Sequence, residues 1–269
     1  MRQILRKLRH KLRLLRATPR RRLRGEVERV LQGALPPAVI AVPLHILLVG
    51  EPLDTHPPES HDYPMWLGRW GELLGTGDGV TVNVTLHWPT QAQWSLADVV
   101  VFYGSNAGWV EKEVPQLDEF LARGGGVVFL HYAINGRNDV SLLADRLGMA
   151  WSPCVSRYRY GWLNVKFGSH PLAAGFPDLR FNDEIFWNLT KGAGEIDEVG
   201  GAFHDGGQQA LFWTRQQGQG RVFVSVLGHY NWIFDDPLFR ILIFRGICWA
   251  GGQPMDRLSA LAARKAQPA

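Results

Sequence analysis

Apolar residues in this chain gather in two kinds of spacing. Compact runs, "LHILLVG" at 44–50, "ADVVVFYG" at 97–104 and "VVFLHYA" at 127–133, read as buried strands, and "VTVNVTLHW" at 80–88 alternates with period two. Between them the spacing turns helical. "YPMWLGRWGELL" at 63–74 repeats Trp66, Leu67, Trp70, Leu73 and Leu74, "EKEVPQLDEFLARGGG" at 111–126 has an acidic first turn and a glycine stop, and "DVSLLADRLG" follows at 139–148. Strand and helix alternating at this distance predict a parallel sheet with crossover helices.

Beyond Gly148 the order changes. "YGWLNVKF", "LRFNDEIFWNL", "IDEVGGAF", "QQALFWTRQ" and "GRVFVSVLG" are short strand-like runs between Gly and Pro turns. A final helix is marked by Asp235 or Asp236 as N-cap, Pro237 at its first position and Gly251-Gly252 as its stop. Its run "LFRILIFRGICWA" is apolar almost all round, which predicts a buried helix. Pro36, Pro37 and Pro43 interrupt the chain ahead of the first strand. The expected organisation is a basic leader and linker over 1–42, one domain over 43–252 and a polar tail over 253–269.

Charge changes the picture of the leader. Residues 1–24 hold eleven Arg and Lys and no acid, so the formal net charge of +4 hides an acidic body of net −7. Nucleic-acid binding by that body is therefore not expected. Ile4, Leu5, Leu8, Leu12 and Leu15 recur at helical spacing among the basic residues, a pattern suited to weak contact with an anionic membrane surface. A solvated arm, or a start codon placed too far upstream, explains the same pattern. No run of eighteen apolar residues occurs, so no spanning helix is expected. Two cysteines without a CxxC, Cys154 and Cys248, suit a reduced cytoplasmic chain, and a homo-oligomer is expected.

Candidate chemistry follows from strand ends, where open parallel sheets hold their ligands. Glu51 and His56 follow the first strand, Tyr103 with Ser105-Asn106 the third, His131 and Tyr132 the fourth, and His229 with Tyr230-Asn231 follow "RVFVSVLG". Asp183 and Glu184 interrupt an aromatic run, where buried acids need a partner. His131, Glu184 and His229 are candidates for acid–base work and for binding a divalent ion such as zinc, although their spacing matches no short metal motif. Ordinary pocket hydrogen bonds are the competing account. "GTGDGV" at 75–80 stands between a helix and a strand and reads as a turn, and no GxSxG occurs. Trp66, Trp88, Trp109, Trp162 and Trp232 fall in or beside loops, where flat rings could stack on sugar faces.

The blocks "HDYPMWLGRWGELL", "WPTQAQWSLADVVVFY", "GGGVVFLHYA", "HPLAAGFPDLRFNDEIFWNL" and "GQGRVFVSVLGHYNWIFDDPLFRILIFRGICWAGG" resemble the ThuA-like, or trehalose-utilisation, family. The resemblance implies a flavodoxin-like α/β fold of the class I glutamine amidotransferase kind: a mainly parallel sheet flanked by helices, with extra short strands in the C-terminal half. Amidotransferases of that class place a cysteine nucleophile after a strand. Here Phe129-Leu130-His131-Tyr132-Ala133 stands where ThuA-like chains carry a G-L-H-S-A-like segment, so Tyr132 replaces a small hydroxyl residue. Neither cysteine is near that turn, which argues against glutaminase chemistry. The resemblance further implies a role in metabolism of trehalose or related disaccharides and their keto-glycosides. Onto this chain it carries His131, Glu184, His170 and His229, with His61, Asp62 and Tyr63 of the first loop; these three and the strand-end residues Tyr103, Tyr132 and Asn231 are candidate contacts for a sugar-like ligand. His170 of "HPLAAGF" is expected to shape a turn. The expected function is an enzyme acting on a keto-glycoside. The alternatives are a non-catalytic sugar-binding or partner module and a metal-dependent hydrolase.

Overall fold

A computed structural model describes residues 19, 21–33, 42–52, 59–105, 113–137 and 139–264. Among the described residues β5 (Met149–Ala150) pairs with β8 (Thr190–Lys191), and nine further strands, with ranges given below, form one sheet in the order β2-β1-β3-β4-β11-β10-β9-β6-β7. Its first half is parallel. β1 (Leu44–Val49) lies between β2 (Val80–Thr85) and β3 (Val99–Tyr103), followed by β4 (Gly126–Leu130) and β11 (Gly220–Ser225). β1, β3 and β4 are buried almost throughout because helices cover both faces, which is why they read as continuous apolar runs. The edge strand β2 is covered on one side only and alternates.

The second half is antiparallel: β10 (Gly207–Gln217), β9 (Asp197–His204), β6 (Arg157–Phe167) and β7 (Leu179–Trp187). The expected parallel sheet with extra strands in the C-terminal half is therefore present as one mixed sheet. The added strands run to 11 residues in β6 and β10, longer than their short apolar runs suggest. Lys166 and Phe167 tie β6 to β9, whereas Arg157–Val165 pair only with β7. This end of β6 thus has one unpaired edge.

Preceding the sheet, α1 spans Arg24–Gln32. The crossover helices are α2 (Tyr63–Gly75), α3 (Gln91–Leu96), α4 (Val114–Ala122) and α5 (Val140–Leu147), and α6 (Pro237–Ala250) closes the domain. α6 has Asp236 as N-cap, accepting from the Leu238 amide at 2.9 Å, and Pro237 in its first turn. Its two buried arginines are paired: Arg240 with Asp235 and Arg245 with Asp256.

Two segments that the sequence places outside the domain pack against it. α1 belongs to the fold, since Val27 and Val30 are buried, and just ahead of it Arg22 pairs with Asp236 at 2.8 Å. The expected tail also packs, through Leu258, Leu261 and Ala262. Two or three buried residues in a polar segment give no periodic signal, which is why sequence pattern missed both. The rest of the basic leader lies outside the described residues. Among the described residues no helix is long and apolar enough to cross a membrane.

Candidate metal centre

Four side chains converge at the carboxyl ends of the parallel strands. His131 follows β4 directly, in a left-handed conformation with φ 54°, and opens a short 3-10 turn, His131–Ile134. Its Nδ1 lies 2.8 Å from the Val226 carbonyl, so Nδ1 carries a hydrogen and Nε2 points into the cluster. That Nε2 lies 2.9 Å from His61 Nε2 and 3.1 Å from Glu184 Oε2. His229 Nδ1 lies 2.9 Å from His61 Nε2 and 3.1 Å from the same Glu184 oxygen. All four residues are buried.

Local structure explains each position. His61, with φ 52°, sits in a loop zipped antiparallel to the His229 loop by the Ser60–Tyr230 bridge and the His61 amide donating to the His229 carbonyl. Its Nδ1 contacts the Tyr63 hydroxyl at 3.1 Å. The His229 loop hangs on Asp183, a fully buried carboxylate that accepts from the amides of Gly228 (2.6 Å), His229 (3.1 Å) and Tyr230 (3.1 Å). Burial pushes the Asp183 carboxyl up from its ordinary value, against the pull of His131, His229 and those amides. Gly228 has φ 140°, and a Cβ there would lie 3.0 Å from His131 Cβ. Glu184 follows Asp183 on β7 and faces the opposite side of the strand. Burial would raise its pKa too, but hydrogen bonds and charge from His131 and His229 prevail and hold it at about 2.

Three imidazole nitrogens and a carboxylate oxygen brought to one point are held there by shared protons or by a bound cation. The four donor atoms lie within 4.8 Å of one another. A tetrahedron of zinc–nitrogen bonds has edges of about 3.3 Å, close to the four separations of 2.9–3.1 Å. Three imidazoles and one carboxylate suit zinc and the neighbouring divalent transition metals. The outer contacts to Val226, Tyr63 and Asp183 have the form of a supporting shell around metal ligands. The cluster therefore fits a divalent ion.

His131, Glu184 and His229, singled out on the sequence, come together here, and His61 joins them as a fourth donor. Sequence reading placed His61 among ligand contacts, because no spacing ties a loop histidine to three strand ends. Of the other expected contacts, Tyr63 and Tyr103 are buried behind the histidines, and Tyr103 donates to the Gly228 carbonyl at 2.8 Å. Asp62 caps α2 by accepting from the Met65 amide. Tyr132 is half-buried with its ring 6.1 Å from that of His61. Asn231 opens the turn at 231–235, its amide donating to the Glu59 carbonyl.

His170 shapes a turn, its Nδ1 accepting from the Leu172 amide. His56, Asn106 and Trp109 lie outside the described residues. Trp66 is core, and Trp232 stacks on Tyr230 at 4.0 Å. Tyr160, missed on the sequence, donates to Glu184, and its ring lies 4.8 Å from that of His229. The aromatic alternation in "RYRYGW" was the available signal. A cleft of about 660 Å³ lies elsewhere, bordered by Met149, Lys191 and Gln208, and contains none of the four donors. Cavity size does not locate this chemistry.

Fold and site together define an α/β protein whose strand-end turn carries a histidine that converges with three further donor side chains on one point. The chain belongs to the ThuA family, described as trehalose utilisation, whose model matches residues 67–250. Solved structures agree on the fold. A ThuA-like protein from Parabacteroides merdae is 20% identical, with a TM-score of 0.64 over 79% of this chain and 92% of that one. A ThuA-like protein from Bacteroides uniformis is 14% identical, with a TM-score of 0.62 over 82% and 99%. A cold-adapted β-galactosidase from Rahnella sp. R3 shares the fold over 32% of its own length, at 12% identity and a TM-score of 0.53. No curated protein matches the chain.

Proposed function

We propose that this protein is a divalent-metal enzyme of carbohydrate metabolism acting on an oxidised (keto) glycoside. The convergence of His61 Nε2, His131 Nε2, His229 Nδ1 and Glu184 Oε2 carries the reading. The family description of trehalose utilisation supports the substrate class. An ion held there would polarise a carbonyl or hydroxyl oxygen of the sugar.

The residues of the chain divide the remaining work. As ligands, the three histidines cannot also carry protons. Tyr160 is half-exposed beside them and hydrogen-bonded to Glu184. Burial and the nearby carboxylate push its phenol well above the usual value, so at neutral pH it donates a hydrogen bond and does not act as a base. It can orient a substrate oxygen or deliver a proton to it. No thiol stands at the turn: Cys248 is buried and pushed up to about 12, and Cys154 is exposed in another loop.

The test is turnover of keto-glycosides by metal-loaded protein. His131→Ala and His229→Ala are each expected to abolish it while the fold survives. Full activity in both variants overturns the proposal. Sugar binding without turnover in the metal-loaded wild type would identify a non-catalytic binding module instead.

A further inference from the structure

Exposed aromatic rings concentrate beside the metal-binding cluster. Tyr158, Tyr160 and Trp162 alternate along β6 and are 54%, 40% and 39% exposed. Residues two apart on a strand share a face, and directly paired residues share it across strands. Tyr158, Tyr160 and Trp162 pair with Phe186, Glu184 and Asn182 of β7, so the stripe lies on the face from which Glu184 reaches the histidines. Three large aromatics left in solvent on one strand face point to a binding surface.

Their surroundings separate the rings that are free from those that are occupied. Trp162 has the Arg180 guanidinium over its ring at 4.5 Å. The Trp232 ring stacks on Tyr230, and its Nε1 donates to the Asn182 carbonyl. Tyr160 and Tyr158 touch each other edge-on at 5.8 Å, and among the described residues no cation lies over either ring. Tyr160 adjoins His229, and Tyr158 lies one step farther from the donor atoms, on the part of β6 with an unpaired edge. From the cluster outward, the surface thus runs His229, Tyr160, Tyr158.

We infer that Tyr160 and Tyr158 form a stacking platform for a glycoside of two rings, the first over Tyr160 beside the donor atoms and the second over Tyr158. This rests on reading the site as sugar-binding. The weakly positive C–H faces of a pyranose complement the negative face of a phenol ring, and two χ angles make a tyrosine cheap to hold in place. A single-ring ligand reaches Tyr160 and leaves Tyr158 in water. The platform therefore selects disaccharides over monosaccharides.

Calorimetric titration of the metal-loaded full chain with trehalose and with glucose, each carrying one ring ketone, tests this. Wild type should bind the disaccharide more tightly. Tyr158→Ala should weaken the disaccharide roughly three- to tenfold, change the monosaccharide less than twofold, and leave metal content unchanged. Tyr158→Phe, which keeps the ring, should restore binding. Equal losses for both sugars, or none, overturn the platform. So does a change in sedimentation without a change in sugar affinity, which would make the stripe a contact between copies of the chain. Wild type that holds its ion and binds neither sugar overturns the platform and leaves the metal centre standing. Selective weakening by Tyr158→Ala in a protein that holds no ion upholds the platform and overturns the metal centre.

Discussion

Asp183→Asn tests whether the His229 loop is held as the geometry implies. The carboxylate is fully buried and accepts from three consecutive backbone amides, those of Gly228, His229 and Tyr230. Asparagine keeps the shape and one acceptor oxygen, but turns an NH2 group toward at least one of those amides. Hydrogen bonds to a charged group contribute about 1.5–3 kcal/mol each, and a buried donor left unsatisfied costs about 1–3 kcal/mol. One bond lost outright and the others weakened amount to about 3 kcal/mol. For a domain of this size that lowers Tm by roughly 6–12 °C. Because the loop carries His229, metal affinity should also fall, by about 10–100-fold as for other supporting-shell substitutions. Thermal unfolding followed by circular dichroism, with and without added zinc, reads both effects. An unchanged Tm together with unchanged metal affinity would refute the role given to Asp183.

Further predictions rest on other parts of the site. Gly228→Ala places a Cβ 3.0 Å from His131 Cβ and 3.1 Å from Phe234, at a backbone φ of 140°. It should lower stability by about 1–3 kcal/mol and weaken metal binding, as measured by the same melts and by competition with a chelator. Metal affinity should fall as pH is lowered, because imidazoles bind metal only after losing a proton. Metal affinity that does not change in a titration between about pH 8 and about pH 5 would contradict the histidine assignment. A thiol reagent should label one cysteine per native chain, Cys154, and two after unfolding, since Cys248 is buried with its thiol pushed up to about 12. Two fast-reacting thiols in the native protein would disprove the packing of α6.

The parallel half of the sheet was readable because burial on both faces writes itself as continuous apolar runs between amphipathic helices. The antiparallel half was readable only as strands. Its register depends on which runs pair, and nothing in "YGWLNVKF" or "LRFNDEIFWNL" states that Tyr160 faces Glu184. Three donors were legible as polar residues ending or interrupting apolar strands. His61 was not, since it reaches the centre through a loop whose position is set by backbone pairing with residues near 230. The turn at His131 has a left-handed backbone and directs a buried imidazole toward three other donors.

The most direct test of the central claim is the metal content of the purified full chain, measured by elemental analysis after reconstitution with zinc or manganese and removal of loose ions. The account predicts about one divalent ion per chain, lost in His61→Ala, His131→Ala, His229→Ala and Glu184→Ala alike, in keeping with a four-ligand site. No stoichiometric ion in the wild type, or an ion retained undiminished in all four variants, would contradict it.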